Sequence, residues 1–292
     1  GDELVTAATS TLKLSVMQNN TLSNRLSALR TGNIGGFDVS GLAIEIDGQY
    51  LSGAVLKELL GAFSGGAASS DDSDFGRLSF FVNGRLDFGE KDRDSANNGY
   101  DFDAQMFMFG ADYRLRDDLF VGAALAYEMA DVKFAEGGRL DVGGWKGSVY
   151  GGYFGGESFY LDAEASYGWS DYDSERRIRY DYLGGSVDRK AEGDTTGEQF
   201  AVGVGSGFDF NRGRLTFGPN AALSFVDVGV KSYSESGAGG LNLDIGHQQQ
   251  QSLTLTAGGH LSYVFNTRFG VLIPNARVDY IHEFIDSPEF ST

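Results

Sequence analysis

From residue 76 to residue 284 the chain alternates apolar and polar side chains with a period of two. A helix cannot carry that pattern, because it would scatter both classes around its circumference; an extended strand sorts them onto opposite faces. The stretch 159–169 shows it most cleanly. Phe159, Leu161, Ala163, Ala165, Tyr167 and Trp169 share one face, and Tyr160, Asp162, Glu164, Ser166 and Gly168 the other. Leu253, Leu255, Ala257, Leu261, Tyr263 and Phe265 oppose Ser252, Thr254, Thr256, Gly258, His260 and Ser262 in the same way. The pattern predicts nine strands, at about 76–89, 101–115, 119–133, 140–154, 158–172, 196–210, 214–230, 251–265 and 269–284. Tight turns at Asp117, Gly156, Asn211–Gly213 and Asn266–Arg268 alternate with longer polar loops at 90–99, 173–195 and 231–248. Short turns at one end and long loops at the other are the plan of an outer-membrane barrel. Pro219 and Pro274 fall inside two of these strands, and a missing N–H there predicts a bulge near the periplasmic rim.

Composition narrows the class further. The chain has no run of about 18 apolar residues, so the sequence offers no membrane-spanning helix, but barrel strands need only about 9 to 11 residues each. A formal net charge of −18 argues against a nucleic-acid partner, which would require a basic surface. With no cysteine, neither a disulfide framework nor a thiolate metal site is available.

The first 75 residues differ in kind. Residues 2–30 contain no glycine or proline, and Leu22, Leu26 and Leu29 recur at helical spacing, with Gly32 placed as a stop. That segment is rich in Ser, Thr, Asn and Gln, so it can lie in polar surroundings, such as a lumen, without an apolar partner. A second helical patch is expected over Leu51–Phe63, followed by the hinge-like linker 64–74. Two domains result: a helical linker over 1–75 and a β-barrel over 76–292.

A soluble sandwich or propeller would also alternate, so the contents of the two faces decide between them. Here the polar face mixes Gly, Ser and Thr with single charges, which makes a thin wall around a lumen, while aromatics gather at the ends of the apolar face. A basic side chain on the lipid face near mid-membrane costs about 2–4 kcal/mol, so charged residues must turn inward. The lumen-lining set is then Arg77, Asn83, Arg85, Asp112, Arg114, Glu128, Lys146, Asp162, Glu164, Asp209, Asn220, His260, Arg277 and Asp279.

Several stretches bear a likeness to a known family. LSFFVNGRLDFG (78–89), GADYRL (110–115), ERRIRYDYLGGSVDRKAEGDT (175–195), FGPNAAL (217–223) and GVLIPNARVDYIHEF (270–284), with the upstream NRLSALR (24–30), resemble autotransporter β-domains, the translocators of type V secretion. The resemblance implies an all-β, transmembrane, antiparallel up-and-down barrel of 12 strands, preceded by an α-helical pore segment. It further implies an upstream passenger domain, insertion by the outer-membrane assembly machinery, contact with outer-membrane lipid, and residence in the outer membrane of a Gram-negative bacterium. A barrel of that size has room for roughly one helix. With nine strands read here, about three more are expected beyond residue 292.

No catalytic, cofactor or metal constellation stands out. His247, His260 and His282 lack ligand spacing. Asp162 and Glu164 sit two apart on one face, as hydrolase carboxylates can, but wall lining is the favoured reading. Gly203–Gly207 lacks the nucleophile-elbow register, and the acidic runs at 71–74 and 90–94 lack calcium-loop spacing. Some relatives cut their passenger between adjacent asparagines, which makes Asn19 and Asn20 a candidate cleavage point. The expected function is therefore export and anchoring of a passenger rather than catalysis. The alternative is a free-standing outer-membrane channel or porin.

Overall fold

The computed structural model describes residues 77–91, 100–134, 137–156, 158–267, 270–272, 274–285 and 289–290. It also describes three short strands between 36 and 52, and helical positions 11, 12, 14, 15, 18, 21–23, 25–27 and 29. The three short strands are β1 (Gly36–Asp38), β2 (Leu42–Ile46) and β3 (Gln49–Ser52). Then come β4 (Leu78–Lys91), β5 (Tyr100–Arg116), β6 (Leu119–Phe134), β7 (Arg139–Gly155), β8 (Phe159–Tyr182) and β9 (Gly185–Phe208). A short β10 (Phe210–Arg212) leads into β11 (Leu215–Val230). After β12 (Tyr233–Ser234), a 3-10 turn at Gly239–Leu241 and β13 (Asp244–Ile245) comes β14 (Gln248–Tyr263). The described chain closes with β15 (Phe265–Thr267), β16 (Gly270–Leu272), β17 (Asn275–Glu283) and β18 (Glu289–Phe290).

One sheet carries the fold, in the order β17-β14-β11-β9-β8-β7-β6-β5-β4-β2-β3. From β4 to β17 every neighbour is antiparallel, whereas β1 and β2 lie parallel to β4. Strands next to each other in sequence are next to each other in space, which is the up-and-down arrangement. Its strand lengths of 14 to 17 residues in β4–β7 exceed what a tilted membrane crossing requires.

Burial alternates along β6, β7 and the adjoining halves of β8 and β9, and it is the buried side that carries Glu128, Lys146 and Asp162. On β7, Lys146, Ser148 and Tyr150 are buried while Trp145, Val149 and Tyr153 are exposed. Apolar side chains lie exposed across the whole outer wall, among them Phe109, Leu125, Val149, Leu161, Val202 and Leu223. In water such a surface would be a liability; against acyl chains it is the favourable one. In direct cross-strand register, Phe107, Tyr127, Trp145 and Trp169 form an aromatic row on β5–β8. Four residues further along these strands comes a second outward row, Asp103, Asp131, Asp141 and Asp173. The switch from aromatic to carboxylate marks the edge of the apolar band. From Trp145 to Tyr153 the band covers about 26 Å of strand, which a tilt of roughly 40° shortens to about 20 Å.

The inner face is buried because the helix lies on it. Leu14, Leu22, Leu26 and Leu29 are buried in one cluster with Phe81, Met106, Met108, Ala124, Ala126 and Val228 of the wall. The expectation of a lumen without apolar partners is thereby corrected: Met106 and Met108 alternate with outward Phe107 and Phe109 and supply the missing surface.

Three further expectations change. Residues 173–195 are not a loop, since β8 and β9 run on as a paired hairpin to Tyr182 and Gly185. Beyond the bilayer the outward face meets water too, so alternation disappears although the backbone ladder continues. The last long strand starts at Asn275 rather than near 269, after the β15–β16 hairpin. Leu51 and Ser52 end β3 instead of opening a helix, and residues 53–63 lie outside the described residues. Pro219 stays in register with β14, but the β9–β11 ladder stops at Asn220 and resumes only in β10.

Candidate functional site: the helix held against the inner wall

At its lower end, next to the tight turns, the helix is clamped by charge. Arg25 Nε and Nη2 donate to Asp112 Oδ2 at 3.0 and 2.5 Å. The Tyr150 hydroxyl donates to the other Asp112 oxygen, and Ser79 Oγ reaches Oδ2 at 3.5 Å. Above Phe81, the guanidinium sits 4.9 Å from the ring centroid. Side chains from the helix, β4 and β7 thus converge on one carboxylate carried by β5, an arrangement that stabilises only where water is excluded.

Further up, Gln18 Nε2 donates to Ser148 Oγ at 2.8 Å, and Ser15 Oγ donates to Gln199 Oε1. Gln199 passes the contact on by donating to Glu128 Oε2 at 3.2 Å. At the upper end the Thr11 and Tyr172 hydroxyls are 2.6 Å apart. Positions 11, 15, 18, 22, 25, 26 and 29 are buried and 23 and 27 exposed, so one broad side of the helix is committed to the wall.

The charged residues read from sequence fall into separate groups. Asp112 belongs to the clamp. Glu128, Lys146, Asp162 and Glu164 line the middle of the same wall on β6–β8, and Lys146 lies within electrostatic reach of Glu128 and Glu164. Asp209 and His260 approach to 2.9 Å near the far seam, where Asn220 donates to Asp279 at 3.4 Å and Arg277 pairs with Asp279 at 2.5 Å. Asn83 is buried and Arg85 lies 3.7 Å from Asp87. Arg77 is exposed, and its carbonyl accepts from the Arg114 backbone at 2.8 Å. Asn19 and Asn20 lie outside the described residues. Sequence reasoning missed Arg25, Gln18, Tyr150, Tyr172 and Gln199. A signal existed for the tyrosines, since Tyr150 and Tyr172 occupy the polar register of β7 and β8.

Outside the apolar band, at the hairpin formed by β8 and β9, Arg177 donates to Asp188 at 3.0 and 2.9 Å. That hydrogen bond holds the Asp188 carboxyl below the usual carboxylate range.

A helix seated on the polar inner face of an up-and-down sheet, with an apolar outer face, is the geometry of a translocator. The family model for the autotransporter β-domain matches residues 80–292. The chain belongs to the autotransporter β-domain family. Outer membrane protein B of Rickettsia typhi (strain ATCC VR-144 / Wilmington) is 25% identical over 290 residues, covering 96% of this chain and 16% of that protein. Its counterpart in Rickettsia prowazekii (strain Madrid E) is 23% identical over 265 residues, 88% of this chain and 15% of that protein. The chain therefore spans about a sixth of the length of these curated relatives. Among solved structures, the translocator domain of autotransporter NalP from Neisseria meningitidis shares the fold, with a TM-score of 0.59 and 16% identity. That match covers 80% of this chain and 76% of the NalP domain. The autotransporter β-domain is a transporter fold of the bacterial outer membrane, not an enzyme fold, and it implies an attached passenger.

Proposed function

We propose that this β-domain exports the chain preceding its helix and holds it, as a passenger, at the cell surface. The direction of the helix carries the reading. Its N-terminal end meets Tyr172 at the base of the long β8–β9 hairpin, and Arg25 meets Asp112 near the tight Asp117–Asp118 turn. In outer-membrane barrels short turns face the periplasm and long extensions face outward. The N-terminal end of the helix thus points to the outer side, where a passenger belongs.

On this reading residues 1–75 are the linker and 76–292 the barrel. The lumen is lined by Arg77, Asn83, Arg85, Asp112, Arg114, Glu128, Lys146, Asp162, Glu164, Asp209, Asn220, His260, Arg277 and Asp279. The apolar rows face outer-membrane lipid, and the assembly machinery inserts the barrel. The domain itself is read as no enzyme: Asp112, Ser148, Tyr172 and Gln199 of the wall are engaged in seating a helix. His282 packs outward against Phe284, with ring centroids 4.6 Å apart, away from any inner-face nucleophile.

An epitope fused ahead of residue 1 tests the reading in intact cells. Surface protease should remove the epitope while the barrel stays in the outer-membrane fraction. An epitope that remains protected, with the barrel correctly inserted, would overturn export and leave the channel alternative.

A further inference from the structure

The connection between β11 and β14, residues 231–247, stays against the β8–β9 hairpin. It runs along the edge of β9 and lays the Tyr233 and Glu235 side chains over the hairpin's inward face, the face continuous with Tyr172 and the upper end of the helix. Tyr233 packs over Gly193, with Ser174 Oγ donating to its hydroxyl at 3.5 Å. Glu192 and Ser236 exchange both backbone hydrogen bonds, at 2.9 and 2.8 Å. Gly237 adopts a φ of +90° and passes so near the Lys190 carbonyl that a Cβ there would lie 2.8 Å from it, so only glycine fits this approach.

One ion pair fastens the segment. Arg176 Nε and Nη2 donate to the two Glu235 carboxylate oxygens at 2.9 and 2.5 Å, and Nη2 also donates to the Leu241 carbonyl at 3.1 Å. Glu235 Oε2 accepts in addition from the Leu243 backbone at 2.9 Å. A single arginine thus joins both limbs of the segment to each other and to the hairpin, and the Glu235 side chain is 4% exposed. Apolar burial is slight by comparison: Ala238 and Ile245 are its buried hydrophobic residues. A segment with little apolar burial and one buried pair opens locally at far lower cost than the barrel wall.

We propose that residues 231–247 form a strap closing over the outer mouth, latched by Arg176 and Glu235, which swings clear while the upstream chain passes out. The proposal rests on the export reading above. The strap lies on the inner side of the hairpin, in the path of any chain leaving past Tyr172, and the latch re-forms once the helix is seated. Lys231 is the hinge, held to β9 by its N–H on the Thr196 carbonyl at 2.9 Å and by Thr195 Oγ1 on its own carbonyl at 3.0 Å.

The test uses the full precursor with the double substitution Glu192→Cys and Ser236→Cys. These positions form a directly hydrogen-bonded antiparallel pair, a spacing suited to a disulfide. The chain has no other cysteine. Surface arrival of the epitope-tagged upstream segment is followed in cells with diamide or with dithiothreitol. Export is expected to fall at least about tenfold with the tether formed and to recover on reduction, with each single-cysteine variant unaffected. Unchanged export with the disulfide demonstrated on a gel would overturn the proposal. Failure of the untethered precursor to export would overturn the underlying reading instead. A second variant, Glu235→Gln, guards against misassembly: cleavage at Lys231 by added trypsin should speed up at least about tenfold, and the swap Arg176→Glu with Glu235→Arg should restore protection. Equal cleavage in wild type and variant would count against the latch.

Discussion

Arg25 of the helix and Asp112 of the wall stand 87 residues apart in sequence and meet at 2.5 Å, each side chain 3% exposed. The pair fixes both the depth and the rotation of the helix, because Arg25 is also sandwiched against Phe81 and Asp112 is held by Tyr150. Such a clamp adds little net stability over an apolar contact of the same shape, but breaking it from one side leaves a charge stranded.

Asp112→Asn is therefore expected to loosen the helix by about 3–5 kcal/mol, since the Arg25 guanidinium would remain buried without its carboxylate. Combining it with Arg25→Met should recover most of the loss. Trypsin accessibility of the helix and the heat-modifiable gel shift of the barrel separate release of the helix from collapse of the wall.

Lys146 is fully buried, with Glu128 and Glu164 as its electrostatic neighbours. Lys146→Met is expected to destabilise the barrel by about 3–5 kcal/mol by leaving those carboxylates without a cation, and adding Glu128→Gln should return part of it. The midpoint of thermal unfolding in detergent reads both.

Two glycines distinguish the faces. A Cβ on Gly122 would strike the Tyr150 ring, whereas one on Gly147 would meet nothing within 4 Å. Gly122→Ala should cost about 1–3 kcal/mol by pushing Tyr150 off Asp112. Gly147→Ala should leave refolding yield and thermal midpoint unchanged.

The β8–β9 hairpin should respond to acid before the barrel does. Asp188 is held below its ordinary range by Arg177, so its folded-state value lies under the unfolded one. Its stabilising contribution is complete above the ordinary carboxylate range and is lost as pH falls through the lowered value. Amide protection at the hairpin tip, measured relative to the intrinsic exchange rate at each pH, is expected to fall at low pH, and Asp188→Asn should remove that pH dependence.

Much of this was legible in the sequence, for reasons tied to the solvent on each side. Where lipid lies outside and a seated helix inside, each strand must alternate, so Tyr160–Trp169 announces its two faces. The leucines at 22, 26 and 29 announced a helix for the same reason. The hairpin over 173–195 was hidden because its outward face meets water rather than lipid, and its strands are held by pairs such as Arg177–Asp188 instead. The clamp was hidden because Arg25 finds Asp112 only after the wall has curled around the helix; no local pattern encodes a contact across 87 residues. Likewise Met106 and Met108, apolar on the inner face, find their reason only in Leu22 and Leu26 of the helix.

The central claim is that the polar face of the sheet surrounds the helix while the apolar face meets lipid. Val149 and Ser148 are adjacent in β7, one 61% and the other 5% exposed. With no native cysteine, Val149→Cys and Ser148→Cys can each carry one nitroxide in the membrane-reconstituted protein. The label at 149 is expected to be relaxed by molecular oxygen and shielded from a water-soluble nickel chelate. The label at 148 should be shielded from oxygen and immobilised by the helix. A label at 149 reached by the nickel chelate as readily as by oxygen would contradict the account.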